Sequence, residues 1–353
     1  MEQSNSLSTI VKYLQATFVI IFLLYFGKAL FIPLFFGLLL AIVVYPVCKW
    51  LESKHWPRSL AIALLLASVS IVFTTLLLML GYEMNLFVKD IPRVMNRLSL
   101  FTPHVRTWLE TTLGVPQIRQ NNYLDKIGSN AINGITRYFS GALNATISTI
   151  FFLVMVPIYA ALFLYHRGTF VRFLGMMVIF KDPKKLPFIL SLSIHSYYNY
   201  IKGTFFVYLI VGVLNSIGLL ALGIDHAILY GMVTSFMMVI PYVGILISAT
   251  LPVSVALITK DSAWYAVGVV SIFVFIQYLE SNVIFPRIVG KQLNLSTWAT
   301  LVAIIIGTLL WGIPGMILFT PFAAILKIIS DNIDELKPLN ILLNREFGYK
   351  RKG

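Results

Sequence analysis

The polar side chains that could carry chemistry gather beside one apolar stretch, in the segment that begins at Gln277. Glu280 directly follows the charge-free run Ser262–Leu279. A carboxylate at membrane depth is energetically costly and typically marks an ion or proton pathway. Gln277 lies three residues earlier, so a helix places both side chains on one face. We therefore predict that Glu280, with Gln277 and Asn282 near it, lies on the path of a coupling cation, either Na⁺ or H⁺.

The residues that follow this group leave two interpretations open. Pro286 is expected to end the helix near Phe285, because proline lacks the N–H donor and its ring clashes with the preceding turn. The carbonyls freed there could coordinate a cation. Arg287 supports a structural alternative, in which Glu280 lies at headgroup depth and pairs with Arg287 or Lys291.

Two longer apolar stretches must position this group, and each is interrupted near its middle. Ala227–Thr259 and Leu295–Leu326 carry no charge, and each is longer than the roughly 20 residues that one crossing needs. Either each stretch is a single tilted, kinked span, or its halves fold back as a re-entrant hairpin whose tip lines a cavity. Paired broken segments point to a transport site. The candidate tip residues are Pro241, Tyr242, Gly244, Gly312, Pro314 and Gly315.

The composition indicates an all-α, polytopic membrane protein. Of 353 residues, 58% are hydrophobic and 12% are charged, whereas a soluble protein carries about 25% charged residues. The apolar runs are continuous rather than alternating, which excludes a β-barrel. About eight membrane segments are expected, and the first two should form a tight helical hairpin. The runs are Tyr13–Gly27, Ala29–Cys48, Ser59–Tyr82, Gly141–Tyr165, Gly203–Ile224, Ala227–Thr259, Ser262–Leu279 and Leu295–Leu326.

The polar segments divide the chain into five regions. They are N-terminal membrane helices (1–82), an extracytoplasmic amphipathic insert (83–140), a membrane helix with cytoplasmic interfacial helices (141–202), a transport core (203–330) and a basic cytoplasmic tail (331–353). Within the core, a span followed by a broken segment occurs twice. If both broken segments are hairpins, they enter from opposite sides and form an inverted-topology repeat.

The net charge of +13 is best explained by a basic cytoplasmic face against anionic lipids, and nucleic acid is not an expected partner. The basic short loops place both termini in the cytoplasm. The chain has no phosphate-binding loop, dinucleotide fingerprint or His-Glu-x-x-His motif, and its five histidines are scattered. We therefore expect no enzyme activity, resident cofactor or metal site.

Several motifs in 200–326 resemble the autoinducer-2 exporter family of multi-spanning bacterial membrane proteins. The matching pieces are Tyr200-Ile201-Lys202-Gly203, Leu222-Gly223-Ile224, Ile240-Pro241-Tyr242-Val243-Gly244, the run from Glu280 to Lys291, and Trp311-Gly312-Ile313-Pro314-Gly315 with Pro321. The N-terminal helices resemble the family in layout only.

The resemblance implies transport that ATP does not power, by a homo-oligomer in the bacterial inner membrane, with a pentamer as the candidate assembly. Members of the family have been linked to export of autoinducer-2 or to Na⁺/H⁺ antiport, so the substrate is a small polar metabolite or an ion. The rival class is a passive oligomeric channel or a membrane scaffold.

Overall fold

The computed structural model describes residues 2–79, 146–176, 185–239, 243–290 and 294–344, with the single positions 81, 82, 85, 89 and 292. Nearly all of the predicted insert 83–140 lies outside these residues. So do Pro241, Tyr242 and Lys291, three of the residues singled out above.

The described residues form helices throughout, which confirms the all-α fold. They contain no β-strand, and Leu295 and Asn344 make a single isolated bridge. The helices are α1 Glu2–Phe26, α2 Lys28–Ser53, α3 Arg58–Met79, α4 Thr146–Tyr165, α5 Arg167–Met176, α6 Lys185–Ala221, α7 Ala227–Met237, α8 Val243–Thr259, α9 Trp264–Leu279, α10 Phe285–Ile288, α11 Thr297–Trp311, α12 Ile313–Asn332 and α13 Lys337–Leu343.

Several of these helices are long and apolar enough to cross a membrane. Within the described ranges there are five, namely α2, α3, α6, α9 with its continuation to Ile288, and α12. The count rises to six if α4 and α5, which meet at a bend of 70°, are one broken span. The protein is therefore multi-pass, and the expected number of eight segments stays a prediction.

The chain divides into two compact units, each built from separate stretches. One comprises Met1–Ser70, Phe152–Thr204 and Ile288–Gly353, and the other comprises Ile71–Phe151 and Phe205–Arg287. We call them the α2 unit and the α9 unit after a helix in each. The α9 unit holds the first broken segment and Glu280, and the α2 unit holds the second broken segment.

Apolar clusters hold the α2 unit together. Leu39 of α2, Tyr197 of α6, Trp311 of α11 and Leu318 of α12 form one cluster. A second cluster joins α2, α3 and α4 around Cys48, whose side chain is fully buried. The Trp311 indole Nε1 donates a 2.8 Å hydrogen bond to the Leu24 carbonyl of α1.

The predicted tight hairpin of the first two apolar runs is wrong. Gly27 alone joins α1 to α2, and its φ of −83° and ψ of 12° are close to helical values. Its carbonyl accepts from the N–H groups of both Leu30 and Phe31, so α2 begins at once. A connecting residue with dihedral angles near the helical values carries the chain onward and does not reverse it.

The α9 unit is packed around α7, α8 and α9. Tyr230 and Val233 of α7, Leu251 of α8 and Phe273 of α9 belong to one buried cluster. Helix α6 borders it through Leu219, which is fully buried. This packing sets the position of the helix that carries Glu280.

Candidate functional site

Glu280 begins a wide turn in the middle of a long helix. Residues Glu280–Ile284 form a π-helical turn between α9 and α10, and the Phe285 N–H donates to the Glu280 carbonyl five residues back. Single π turns inside α-helices often occur at functional sites. The turn therefore marks Glu280 independently of its charge.

The helix does not end near Phe285, as the sequence led us to expect from Pro286. It continues through Pro286 to Ile288. The physical reason is the π turn, which has already shifted the hydrogen-bonding partner by one residue. A helix interrupted in this way accommodates a residue that has no N–H.

The Glu280 carboxylate is buried and hydrogen-bonded by two neighbours. The residue is 8% exposed, and its Oε2 accepts from Gln277 Nε2 and from Ser281 Oγ, both at 2.9 Å. Gln277 Nε2 also donates to Ser281 Oγ at 3.1 Å. The structure thus brings Gln277 and Glu280 together as their spacing predicted, and it adds Ser281, whose hydroxyl directly follows the carboxylate in sequence.

One acceptor in this group lacks a donor. The Gln277 Oε1 is buried, and the described residues supply no hydrogen-bond partner to it. The Glu280 carboxylate and this amide oxygen are both suited to a cation, because hard cations prefer oxygen ligands. Two oxygens do not make a complete coordination shell, so water or substrate would have to supply the rest.

The predicted positive neighbour is not beside Glu280. Arg287 is exposed, and no ion pair joins it to Glu280. Lys291 lies outside the described residues. Asn282 is also exposed, and its Nδ2 donates to the Tyr278 carbonyl of its own helix at 3.0 Å. The described part of the site is therefore Gln277, Glu280 and Ser281, without Asn282 and Arg287.

Helix α6 covers the α9 face that carries Glu280. A Cβ added to Gly218 of α6 would lie 2.5 Å from Ile272, and one added to Gly268 would lie 3.3 Å from Leu222. In these two contacts the residue number rises along one helix as it falls along the other. Helices α6 and α9 are therefore antiparallel. If this antiparallel register continues for two more turns, Glu280 lies at the level of Ile210.

The second broken segment is a closed helical hairpin. Gly312 joins α11 to α12 with a φ of 66° and a ψ of −140°, a conformation that is essentially restricted to glycine. Beyond the turn, a Cβ on Gly315 would lie 1.9 Å from the Gly307 carbonyl oxygen. The two backbones therefore touch, which only glycine permits. Pro314 occupies the first turn of α12, where its missing N–H has no helical partner to lose.

Hydrogen bonds of Ser296 connect the start of α11 to α13. Ser296 caps α11 by accepting from the Ala299 N–H at 3.1 Å. Its own Oγ donates to the Leu342 carbonyl of α13 at 2.9 Å. A residue with this N-cap role is worth about 1 kcal/mol.

The first broken segment also folds back on itself. Helix α7 ends at Met237 and α8 begins at Val243, and both contribute to the same buried cluster. Gly244 is buried, and a Cβ there would lie 1.7 Å from the Met237 carbonyl oxygen. The Tyr208 hydroxyl of α6 donates to the Met238 carbonyl at 3.1 Å. Gly244, in the first turn of α8, thus lets this helix lie directly against the end of α7.

The lengths of the hairpin arms favour hairpins over single kinked spans. Helices α7, α8 and α11 have 11, 17 and 15 residues. At 1.5 Å per residue they reach about 16, 26 and 22 Å, less than the roughly 30 Å of a bilayer core. Only α12 is long enough to cross alone.

Two polar groups are buried within the apolar helices, and the sequence analysis missed the first of them. Lys327 of α12, whose side chain is 7% exposed, pairs with Asp331 at 2.6 Å. Asn215 of α6 is 1% exposed, and its Oδ1 has no partner among the described residues. Lys327 directly follows the charge-free run that ends at Leu326, and this position next to an apolar run could have indicated a buried charge. Asn215 lies inside the charge-free run Gly203–Ile224, where a polar side chain is expected to reach a neighbouring helix, and its burial fits that structural role.

Comparison with known proteins covers nearly the whole chain. The family model described as "AI-2E family transporter" matches residues 14–335. YrrI of Bacillus subtilis (strain 168), whose name gives transport as its expected role, is 28% identical over 319 residues, covering 85% of this chain and 86% of YrrI.

The AI-2 transport protein TqsA of Escherichia coli (strain K12) is 23% identical over 320 residues, covering 90% of each chain. YueF of Bacillus subtilis (strain 168) is 27% identical over 339 residues, covering 88% of this chain and 86% of YueF. The resemblance seen in 200–326 thus extends to the N-terminal helices. With its helical fold, its multiple apolar spans and the extent of this match, the chain belongs to the AI-2E family of membrane transport proteins.

Proposed function

We propose that the protein is a secondary transporter, in which an ion gradient drives export of a small polar metabolite or Na⁺ exchanges for H⁺. Autoinducer-2 is the candidate metabolite, because the relative TqsA is named for its transport. A carboxylate binds either Na⁺ or H⁺, so both versions use one ion site.

The observation that carries this proposal is the state of Glu280. It is a buried carboxylate within an apolar span, it begins a π turn, and the only described groups bonded to it are neutral. A buried carboxylate without a cation partner is expensive to keep charged. Binding and releasing a small cation would relieve that cost, and this is the behaviour that a coupling site requires.

The two hairpins suit the same function. Short helices that turn back before they cross are tolerated where protein or water surrounds their tips, and transporters bind substrate at such tips. The candidate substrate contacts are the Gly312 turn and the break at the start of α8, where the sequence has Pro241, Tyr242 and Gly244. In each hairpin a glycine, Gly315 or Gly244, allows the two arms to approach closely.

The basic short loops and the basic tail support a cytoplasmic C-terminus, and the family supports a bacterial inner membrane and a homo-oligomeric assembly. A cytoplasmic N-terminus would need the reversal that Gly27 does not make. With the C-terminus inside, the α7–α8 hairpin would open toward the outside and the α11–α12 hairpin would open toward the cytoplasm. Such opposite topologies match the inverted-topology repeat that many secondary transporters use.

The substitution Glu280→Gln tests the proposal in liposomes that contain the purified full-length protein. The glutamine oxygen can still accept hydrogen bonds from Gln277 and Ser281, so the change removes the charge and largely keeps the contacts. We expect Na⁺- or H⁺-driven flux, followed with ²²Na⁺, a pH dye and labelled autoinducer-2, to fall at least tenfold.

Asn282→Ala is the matched control, because Asn282 is exposed two residues away and bonds only to the carbonyl of its own helix. Its flux should stay within about twofold of the wild type, since exposed polar changes have small effects. Unchanged flux in Glu280→Gln would remove Glu280 from the coupling mechanism. Ohmic conductance in planar bilayers would favour a channel.

A further inference from the structure

Helix α5 has an unusual surface for a short helix. None of its ten residues is buried, although five of them are large and apolar, and four of those five are exposed. These are Phe170 (42% exposed), Val171 (41%), Phe173 (61%) and Met176 (83%). An isolated helix of this length is not stable in water. The exposed apolar side chains of α5 therefore need an apolar surface to contact, and the described residues do not supply one.

The orientation of α5 is fixed by contacts at its start. The 70° bend at His166 lays α5 within about 20° of the membrane plane when α4 runs along the membrane normal. Arg167 of α5 pairs with Glu52 of α2 at 2.6 Å, and Phe163 of α4 packs on Phe170 with ring centroids 5.0 Å apart. Arg58 of α3 donates to the Leu164 carbonyl. The ends of four helices thus meet at one elbow.

The elbow carries an excess of positive charge. Glu52 is the only acid in the stretches 45–66 and 151–176, and Arg167 already pairs with it. Three more cations from these stretches, Lys49, Lys54 and Arg172, are exposed, and no described carboxylate pairs with them. Their charge is left for a partner outside the chain.

Aromatic side chains accompany these cations. Trp50 is 53% exposed and Trp56 is 40% exposed, and the Lys54 ammonium lies 4.0 Å from the centre of the Trp50 ring. Tryptophan prefers the boundary between the hydrocarbon and the headgroups. Cations beside tryptophan at that depth face lipid phosphates.

We propose that this elbow surface, formed by Lys49, Trp50, Lys54, Trp56 and the exposed residues of α5, binds the phosphate groups of anionic phospholipids. The apolar residues of α5 enter the interface, and Lys49, Lys54 and Arg172 contact the headgroup phosphates. The combination of an in-plane apolar helix with unpaired cations is the pattern of an interfacial anchor that selects anionic lipid. It defines a binding surface that does not depend on the transport mechanism.

The test uses the purified full-length protein in a neutral detergent, with phosphatidylglycerol and phosphatidylcholine added in turn. Native mass spectrometry measures the lipids retained, and thermal unfolding measures stabilisation. We expect the wild type to retain phosphatidylglycerol preferentially. The triple substitution Lys49→Gln, Lys54→Gln and Arg172→Gln should reduce that preference by more than about tenfold, since each cation contributes roughly fivefold.

A matched control removes three lysines elsewhere, through Lys12→Gln, Lys28→Gln and Lys260→Gln. It loses the same net charge and should keep the wild-type preference. Equal losses in both triple variants would overturn the elbow surface and leave only a general charge effect. The unfolding temperature in phosphatidylcholine, which should match the wild type, verifies that the elbow variant is folded.

Soluble glycerol 1-phosphate distinguishes a lipid surface from a site for free phosphate. At the concentration of the added lipid it should neither stabilise the protein nor displace phosphatidylglycerol, because it has no acyl chains for α5 to bind. Displacement of the lipid by glycerol 1-phosphate would show a small-anion site instead, and this would contradict the proposal.

Discussion

The substitution Gly315→Ala should destabilise the protein strongly, because the α11–α12 hairpin leaves no room for a side chain there. The new Cβ would lie 1.9 Å from the Gly307 carbonyl oxygen and 2.6 Å from the Gly307 carbonyl carbon. Both are backbone atoms, so no side chain can rotate away. To place the Cβ even 3.0 Å from the oxygen, the two helices must move apart by about another 1.1 Å.

Forcing such a separation in a packed contact costs about 3 kcal/mol, at the upper end of the usual range for overpacking. For a chain of this size we expect the unfolding temperature to fall by roughly 6 °C. The effect is measured by heating the purified protein in detergent and recording the fraction that remains monodisperse at each temperature.

Two other glycines separate steric contact from backbone strain. A Cβ on Gly312 would meet nothing within 4 Å, but its φ of 66° makes alanine strained, so Gly312→Ala should cost about 1–3 kcal/mol. A Cβ on Gly168 in α5 also meets nothing, and its backbone is helical, so Gly168→Ala should be neutral or stabilising. If the Gly315→Ala variant is as stable as the Gly168→Ala variant, the backbones of α11 and α12 do not touch at Gly307 and Gly315.

Thermal unfolding of purified variants checks three further predictions. Asp331→Asn should cost about 3 kcal/mol because it leaves the buried Lys327 ammonium unpaired, whereas Lys327→Met should be nearly neutral; equal costs would contradict the pairing. Trp311→Phe should cost about 1 kcal/mol, since it removes the hydrogen bond to the Leu24 carbonyl, and no loss would show that this bond is not made. Asn215→Leu should change stability by less than about 1 kcal/mol, because the Asn215 Oδ1 has no described partner, and a loss above 2 kcal/mol would reveal a hidden one.

The features that the sequence predicted well are those set by local spacing or by length. The Gln277–Glu280 hydrogen bond follows from a separation of three residues on a helix. The two breaks follow from apolar stretches that are too long for one crossing, although the sequence left a kinked span and a hairpin both open. These signals depend on the chain near each residue, so they can be read without knowledge of the packing.

The features that were missed depend on contacts between distant elements. The π turn at Glu280 has no local signature, and Pro286 alone suggested a helix end instead. Asn282 shares the polar segment with Glu280, yet its side chain bonds to the Tyr278 carbonyl. A polar cluster in sequence is therefore only a list of candidates, and helix rotation decides which members face the same space.

The same limit explains the error at the N-terminus. A charge between two apolar runs suggested a reversal at Lys28, although the dihedral angles of Gly27 are close to helical values and do not reverse the chain. Hydropathy locates the apolar runs but does not show the direction of the chain between them.

Uphill accumulation in liposomes tests the proposed ion-coupled transport most directly. Vesicles containing the purified wild-type protein receive a Na⁺ or H⁺ gradient, and labelled autoinducer-2 and ²²Na⁺ are followed in separate arms. We predict that at least one of them accumulates against its own gradient, and that accumulation stops when an ionophore collapses the driving gradient. Movement of both probes only down their own gradients, with or without the ionophore, would contradict ion coupling.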